Sequence, residues 1–440
     1  MKFYVIGISD NPQPFFPPEM LEVIKNGRVF SGGKRHHEIV APFLPQDAEW
    51  IDITVPLDAV FEQYKKSSIF NLQPLARRSQ SSIVIIASGD PLFFGFANTL
   101  KREFPDAEIV LYPTFNSLQM LAHRLVMPYH DMRIVSLTGR PWHEFDRALI
   151  EGATKIGVLT DKEHTPATIA QRMLEYGYND YTMHIGEHLG NPTKERISVL
   201  SLKEAAREEF SMPNCLILNT NFHELNMNFS QINIHDHSCS INGNSCSKYI
   251  FGIPDHEFAL LDGREKMITK MPIRLLTLQA LDLPHRHTFW DIGFCTGSVS
   301  IEARLQFPHL HVEAFEVRPE CEALIHENAR RHHAPGINVH MGDFLETPLL
   351  QQGGDGGGSP DAVFIGGHGG HLKEIMEKVL TVLSPDGIIV FNSVTSPVVP
   401  VDSHRLWDEA CAELRLSQES PLRLQLNDYN PIEILKAKLK

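Results

Sequence analysis

The sequence predicts an α/β protein built in two successive parts, the second of them Rossmann-like. Three observations predict it. Short β-rich runs alternate with helical runs over residues 1–219 and again over 251–440, the pattern of largely parallel α/β units. A small-residue turn follows an apolar strand once in each part, at Ala87-Ser88-Gly89-Asp90-Pro91 and at Gly293-Phe294-Cys295-Thr296-Gly297. Between the parts, residues 220–250 are rich in Asn, Ser and His without any period, and read as a linker.

In the first part the strands are expected at Phe3–Gly7, Arg28–Phe30, Glu49–Ile53, Ser82–Ala87, Glu108–Leu111, Ile134–Leu137, Lys155–Leu159, Thr182–Ile185 and Asn214–Leu218. Helices fill several of the gaps, as at Pro166–Tyr176, where apolar residues recur at three- and four-residue spacing. In the second part a helix over Pro272–Leu281 precedes strand Thr288–Ile292. Helix Ser298–Gln306, strand His311–Glu316, helix Pro319–Arg331 and strands Asn338–Met341 and Ala362–Ile365 follow. Helix Gly370–Leu383, strand Gly387–Phe391, helix Ser403–Leu414 and two closing strands complete it. The Gly-rich segment 351–360 reads as a surface insertion.

Bulk properties exclude several functions. A chain of 440 residues exceeds one ordinary core. A net charge of -14 disfavours a general nucleic-acid binder, which needs many cationic phosphate contacts. No apolar run approaches the ~20 residues of a membrane span, and Met1–Gly7 reads as a strand, so a cytoplasmic protein is expected. The six cysteines show no C-x-x-C pair, which leaves neither a disulfide framework nor a zinc ribbon in view. His235-Asp236-His237-Ser238-Cys239 reads as a solvated tether, and no metal is expected.

The second turn carries the clearest chemistry. Gly293, Cys295, Thr296 and Gly297 bend the chain and bring backbone amides close to a ligand. Glu316 ends the next strand, where a carboxylate can accept both ribose hydroxyls, and Gly342-Asp343 ends the third, where an adenine amino group is expected. A dinucleotide enzyme would prefer G-x-G-x-x-G, which is not present, so the set fits an S-adenosylmethionine methyltransferase better. A nucleic-acid amino methyltransferase usually carries a D-P-P-Y-type motif where this chain has Phe364-Ile365-Gly366-Gly367-His368-Gly369-Gly370.

These residues, with Phe251-Gly252-Ile253-Pro254-Asp255, Ile268-Thr269-Lys270 and Asn392-Ser393-Val394-Thr395, make residues 251–400 resemble the C-terminal methyltransferase of corrin biosynthesis. That family usually has Gly where this chain has Cys295, and a β-carbon there narrows the space beside the cofactor. Residues 1–219 resemble the tetrapyrrole methylases, narrowing to the C-5 methylase branch. The match rests on Ser31-Gly32-Gly33-Lys34-Arg35-His36, Ala87 through Phe93, Asn116-Ser117-Leu118-Gln119, Val135 through Pro141, Leu159 through Pro166 and Gly186-Glu187-His188-Leu189-Gly190. The family often has G-x-G-P-G after the first strand, where this chain has Gly7-Ile8-Ser9-Asp10-Asn11.

Joined, the halves resemble the fused C5,15-methyltransferases (decarboxylating) of cobalamin biosynthesis. The resemblance implies a two-lobed first domain and a class I methyltransferase domain. It implies one S-adenosylmethionine in each, a tetrapyrrole substrate and homo-oligomers. Gly7, Gly89, Asp90, Pro91 and Ser117 are the cofactor candidates in the first half, and Thr269, Gly293, Cys295, Thr296, Gly297, Glu316, Gly342, Asp343 and Gly366 in the second. Arg35, His36, Arg140, Lys270 and Arg274 are the donors expected for substrate carboxylates. His368 and Asn392, at strand ends, are the candidates for orienting the acetate and managing a proton.

Overall fold

A computed structural model describes residues 1–69, 82–220, 251–348, 358–394, 403–426 and 431–439. The expected linker from residue 221, with its His and Cys residues, lies outside the described residues. So do residues 351–357 of the Gly-rich segment and Thr395. The described residues fall into two compact units. One holds most of the chain up to residue 220; the other holds residues 139–153, 171–180 and the described residues from 251 on.

The first sheet contains β1 (Lys2–Ile8), β2 (Val29–Gly32), β3 (Glu49–Asp52), β4 (Ser82–Ser88) and β5 (Glu108–Tyr112), all parallel in the order β3-β2-β4-β1-β5. Its central strands are apolar almost throughout because both faces are covered. Tyr64 and Leu100 come from helices on one face, Ile24 and Val40 from helices on the other. The register sets Gly7 beside Ala87 and Ile8 beside Ser88, so the two strands end together at the centre of the sheet.

A second sheet orders β6 (Arg133–Ser136), β7 (Lys155–Leu159), β8 (Tyr181–Glu187), β9 (Arg196–Ser201) and β10 (Asn214–Thr220) as β6-β7-β10-β8-β9. Here the expectation of a largely parallel sheet fails: β10 runs antiparallel to both neighbours, and β9 to β8. Strand β9 was not expected at all. It is an edge strand with no fully buried residue, and its apolar Ile197, Val199 and Leu200 are all at least partly solvated.

The third sheet holds β11 (Thr288–Ile292), β12 (His311–Glu316), β13 (Ile337–Met341), β14 (Ala362–Ile365) and β15 (Ile388–Val394), parallel in the order β13-β12-β11-β14-β15. Three closing strands appear where two were expected: β16 (Ser417–Gln418), β17 (Leu422–Leu424) and β18 (Ile432–Lys438). The last is antiparallel to β15 and pairs with the other two. The chain order reverses between β11 and β14, which opens a crevice at their carboxyl ends, where such sheets bind ligands. Helix Ser298–Gln306 leaves this crevice and is buried from Ser298 to Leu305, so its Ser300, Glu302 and Arg304 need internal partners.

Candidate functional site

Each unit has a cavity at the carboxyl ends of a parallel sheet. The first, about 450 Å³, is lined by Ile8, Asp10, Arg35, His36, Ser88, Gly89 and Ser117, with the rings of Phe93, Phe94 and Phe115. Gly89 lines it; Gly7 does not, but stands near the end of β1 against Gly89. A β-carbon on Gly7 would lie 1.8 Å from the Gly89 carbonyl oxygen, and Gly89 itself has φ +60. Any side chain at Gly7 would force β1 and β4 apart. Ser117 opens helix Ser117–Leu125, whose cap is reciprocal: Asn116 Oδ1 accepts from Gln119 N at 2.9 Å, and Gln119 Oε1 accepts from Asn116 N at 3.0 Å. Asp90 and Pro91 stand behind this surface and do not line the cavity. The Asp90 carboxylate accepts from Leu92 N at 2.9 Å and so shapes the turn.

The cationic candidates separate. Arg35 and His36 line the first cavity, whereas Arg140 is exposed and is not one of its lining residues. Arg35 Nη1 donates to Asp10 Oδ1 at 2.6 Å, and the other Asp10 oxygen lies 2.9 Å from His188 Nδ1. Burial, then the neighbouring Arg35 charge, pulls the His36 imidazole down to about 4, so it is neutral at pH 7.

The second cavity, about 820 Å³, is lined by Thr269, Lys270, Asp291, Gly293, Cys295, Thr296, Arg318, Gly366 and Asn392, among others. Gly293 (φ +81) meets the backbone of Gly367, 2.7 Å from where a β-carbon would sit. Gly297 caps the buried helix at φ +73, and a β-carbon there would lie 2.4 Å from Ile325. It shapes the loop and does not line the cavity. Cys295 holds φ +49, a conformation that favours glycine, yet it is only 8% exposed and packs with Phe294, Ala314, Cys321 and Ile325. The core takes up most of its side chain, and burial raises its thiol pKa, which removes it as a nucleophile.

Several expectations are corrected here. Glu316 ends β12 as expected, but both its oxygens are taken. One accepts from Cys295 N (2.9 Å) and Arg318 Nη2 (2.7 Å), the other from Val317 N, Arg318 N and Arg318 Nε. Ribose hydroxyls would have to replace the Arg318 guanidinium. Gly342 and Asp343 do not line the cavity; Asp343 is exposed and accepts from Leu345 N at 2.9 Å. His368 is also outside it, its Nδ1 accepting from Gly370 N at 3.1 Å and its ring 5.6 Å from that of Phe391. Arg274 is fully buried. It donates to Glu302, to Asp255 and to the carbonyls of Thr269 and Ile253, which leaves it no face for a substrate.

Asn392 does reach the cavity, held by a pair of hydrogen bonds with Thr277 Oγ1 at 3.0 and 3.2 Å. Sequence reasoning missed Asp291. It is fully buried and lines the cavity; its Oδ2 accepts from Ser300 Oγ at 2.5 Å, while Oδ1 has no hydrogen-bond partner among the described residues. Burial raises its pKa to about 7. An acid within the apolar run Trp290-Asp291-Ile292 was the available signal. An orphaned carboxylate oxygen beside a glycine cradle fits the ammonium end of S-adenosylmethionine, and Asp291, Gly293, Thr296 and Gly366 would hold it.

The sequence profile of tetrapyrrole (corrin/porphyrin) methylases matches residues 2–206, and that of the precorrin methyltransferase domain matches residues 262–418. A precorrin-6Y C(5,15)-methyltransferase [decarboxylating] of a Sinorhizobium species is 29% identical over 95% of this chain and 91% of its own length. A cobalt-precorrin-6B C(15)-methyltransferase (decarboxylating) of Salmonella typhi is 35% identical over 37% of this chain and 83% of its own. A cobalt-precorrin-7 C(5)-methyltransferase of Salmonella typhimurium is 27% identical over 49% of this chain and 98% of its own. With the cobalt-precorrin-6B relative 35% identical over most of its own length and both domain profiles matched, the chain belongs to the precorrin methyltransferases.

Proposed function

We propose that the chain methylates a precorrin at C-5 in its first cavity and at C-15 in its second, with loss of the ring C acetate carboxyl as carbon dioxide. The observation that carries this is the pair of cavities in one chain, each at parallel strand ends and each lined by a positive-φ glycine, Gly89 or Gly293, whose β-carbon would strike backbone. S-adenosylmethionine supplies an electrophilic methyl group in both. The protein's task is to hold a nucleophilic ring carbon in line with that methyl and to exclude water. In the first cavity, phenylalanine rings offer an apolar bed for the macrocycle and Arg35 a cation for its carboxylates. In the second, Lys270 supplies the cation, and Asn392, anchored by Thr277, orients the acetate. As carbon dioxide leaves, the electron pair passes into the conjugated ring.

The half-reactions are separable. Cobalt-precorrin-6B tests the second cavity and cobalt-precorrin-7 the first, and the metal-free compounds test the need for cobalt. Mass spectrometry should find one methyl gained and one carbon dioxide lost from the former, and one methyl gained by the latter. No change in either compound or in its metal-free form, with cofactor bound, defeats the proposal. A second reading, a silent C-terminal half, draws on Arg318 occupying Glu316; methylation only of cobalt-precorrin-7 would favour it. The same proposal includes a cytoplasmic setting and a homo-oligomer, the latter checked by sedimentation.

A further inference from the structure

Ser88 ends β4 at the first cavity and is exposed to it. Two neighbours converge on its hydroxyl oxygen: Arg35 Nη2 at 2.9 Å and His36 Nε2 at 2.8 Å. The guanidinium can only donate. For His36 the direction follows from its other nitrogen. The Gly33 backbone N–H can only donate, and it points at Nδ1 from 3.2 Å, so Nδ1 accepts and the ring proton sits on Nε2; Arg35 Nη2, a longer 3.4 Å from Nε2, gives its proton to Ser88 instead. Both lone pairs of the Ser88 oxygen are therefore filled by donors. Its own proton remains, and no described residue accepts it.

The arrangement is built from behind. Asp10, only 9% exposed, fixes Arg35 through Nη1 and is itself braced by His188. Gly33 fixes His36. A serine so held has only one thing to offer the cavity, an O–H. Next to it stands a guanidinium that is 35% exposed in its side chain. An O–H and a cation side by side suit an anionic acceptor with two oxygens.

We infer that Ser88 is a substrate-positioning hydrogen-bond donor, reading one side-chain carboxylate of the tetrapyrrole together with Arg35, while His36 acts behind Ser88 and not on the substrate. This rests on the first cavity being the C-5 site. It also changes the expected role of His36, which here orients a hydroxyl.

The test follows the C-5 half-reaction of the full chain on cobalt-precorrin-7, with S-adenosylmethionine affinity measured separately by calorimetry. Ser88→Ala should raise the KM for cobalt-precorrin-7 roughly tenfold, the loss of one hydrogen bond to a charged group. It should leave kcat within about twofold and cofactor affinity unchanged. Ser88→Thr keeps the hydroxyl and should restore most of the KM. An unchanged KM in Ser88→Ala overturns the inference while leaving the C-5 assignment standing, since the wild-type chain still turns over. A loss of cofactor affinity in Ser88→Ala moves Ser88 to the cofactor side and also overturns it. A wild-type chain that methylates neither cobalt-precorrin-7 nor its metal-free form defeats the C-5 assignment, and the inference with it.

Discussion

At the scale of single residues, Asp291 has the clearest consequences. Its carboxyl is buried and neutral below about pH 7, and an ammonium group needs it ionised. Cofactor affinity at the second cavity should then climb roughly tenfold per unit as pH rises towards 7 and level off above it. Calorimetry at pH 6, 7 and 8 measures this, and Asp291→Asn should abolish the slope; a flat wild-type profile would remove Asp291 from the site. Stability runs the other way. An unfolded Asp ionises near ~4, so the raised folded value makes the protein lose stability between about pH 4 and about 7. Which site residues were legible follows from what each one needs. Gly7, Gly89 and Gly293 could be foreseen because a close backbone approach admits only glycine. Glu316 and Asp343 could be placed at strand ends, but a position does not fix where a carboxylate points. Arg318 and Leu345, each two residues further on, decided that.

At the scale of elements, helix Met271–Ala280 shows how a charge can be misassigned. Its buried residues are Ile273, Arg274, Thr277 and Leu278, a stripe at helical spacing, so Arg274 stands on the inward face. The spacing carries that signal, whereas charge alone is equally compatible with a donor for substrate carboxylates. The inward guanidinium answers Glu302, which is fully buried on the neighbouring helix and also accepts from Gly252 N at 2.8 Å and Ile253 N at 3.0 Å. Arg274 thereby ties segment 252–255 and the Thr269 carbonyl to the helix that leaves the cofactor loop. Arg274→Met should cost about 3–5 kcal/mol by stranding a buried carboxylate, read as a fall in Tm, and weaken cofactor binding through Thr269 and Lys270. Adding Glu302→Gln should recover part of the loss, because the stranded charge is gone. Equal Tm for wild type and Arg274→Met would refute this. Strands β4 and β11, buried almost throughout, read as apolar runs; β9 has no fully buried residue, but neither have β5 and β13, which were legible, so burial alone does not separate them.

At the scale of the whole molecule, the question is whether one chain runs two independent cofactor sites. Each site has a glycine at a strand end that meets backbone, Gly7 against Gly89 beside the first cavity and Gly293 against Gly367 in the second, so a methyl group there should disturb that site. Both clashes are with backbone and not with a yielding side chain, so each variant is first shown to be folded. Calorimetry should count two S-adenosylmethionine molecules on the wild-type chain and one on either Gly7→Ala or Gly293→Ala. Gly7→Ala should lose methylation of cobalt-precorrin-7 and keep methylation and decarboxylation of cobalt-precorrin-6B; Gly293→Ala should do the reverse. Circular dichroism of both variants separates site closure from unfolding. Loss of both half-reactions in a folded single variant would mean that the sites depend on each other, because a methyl group at one strand end touches only its own sheet. A wild-type stoichiometry of one would assign the chemistry to a single cavity, and the variant that still binds would say which.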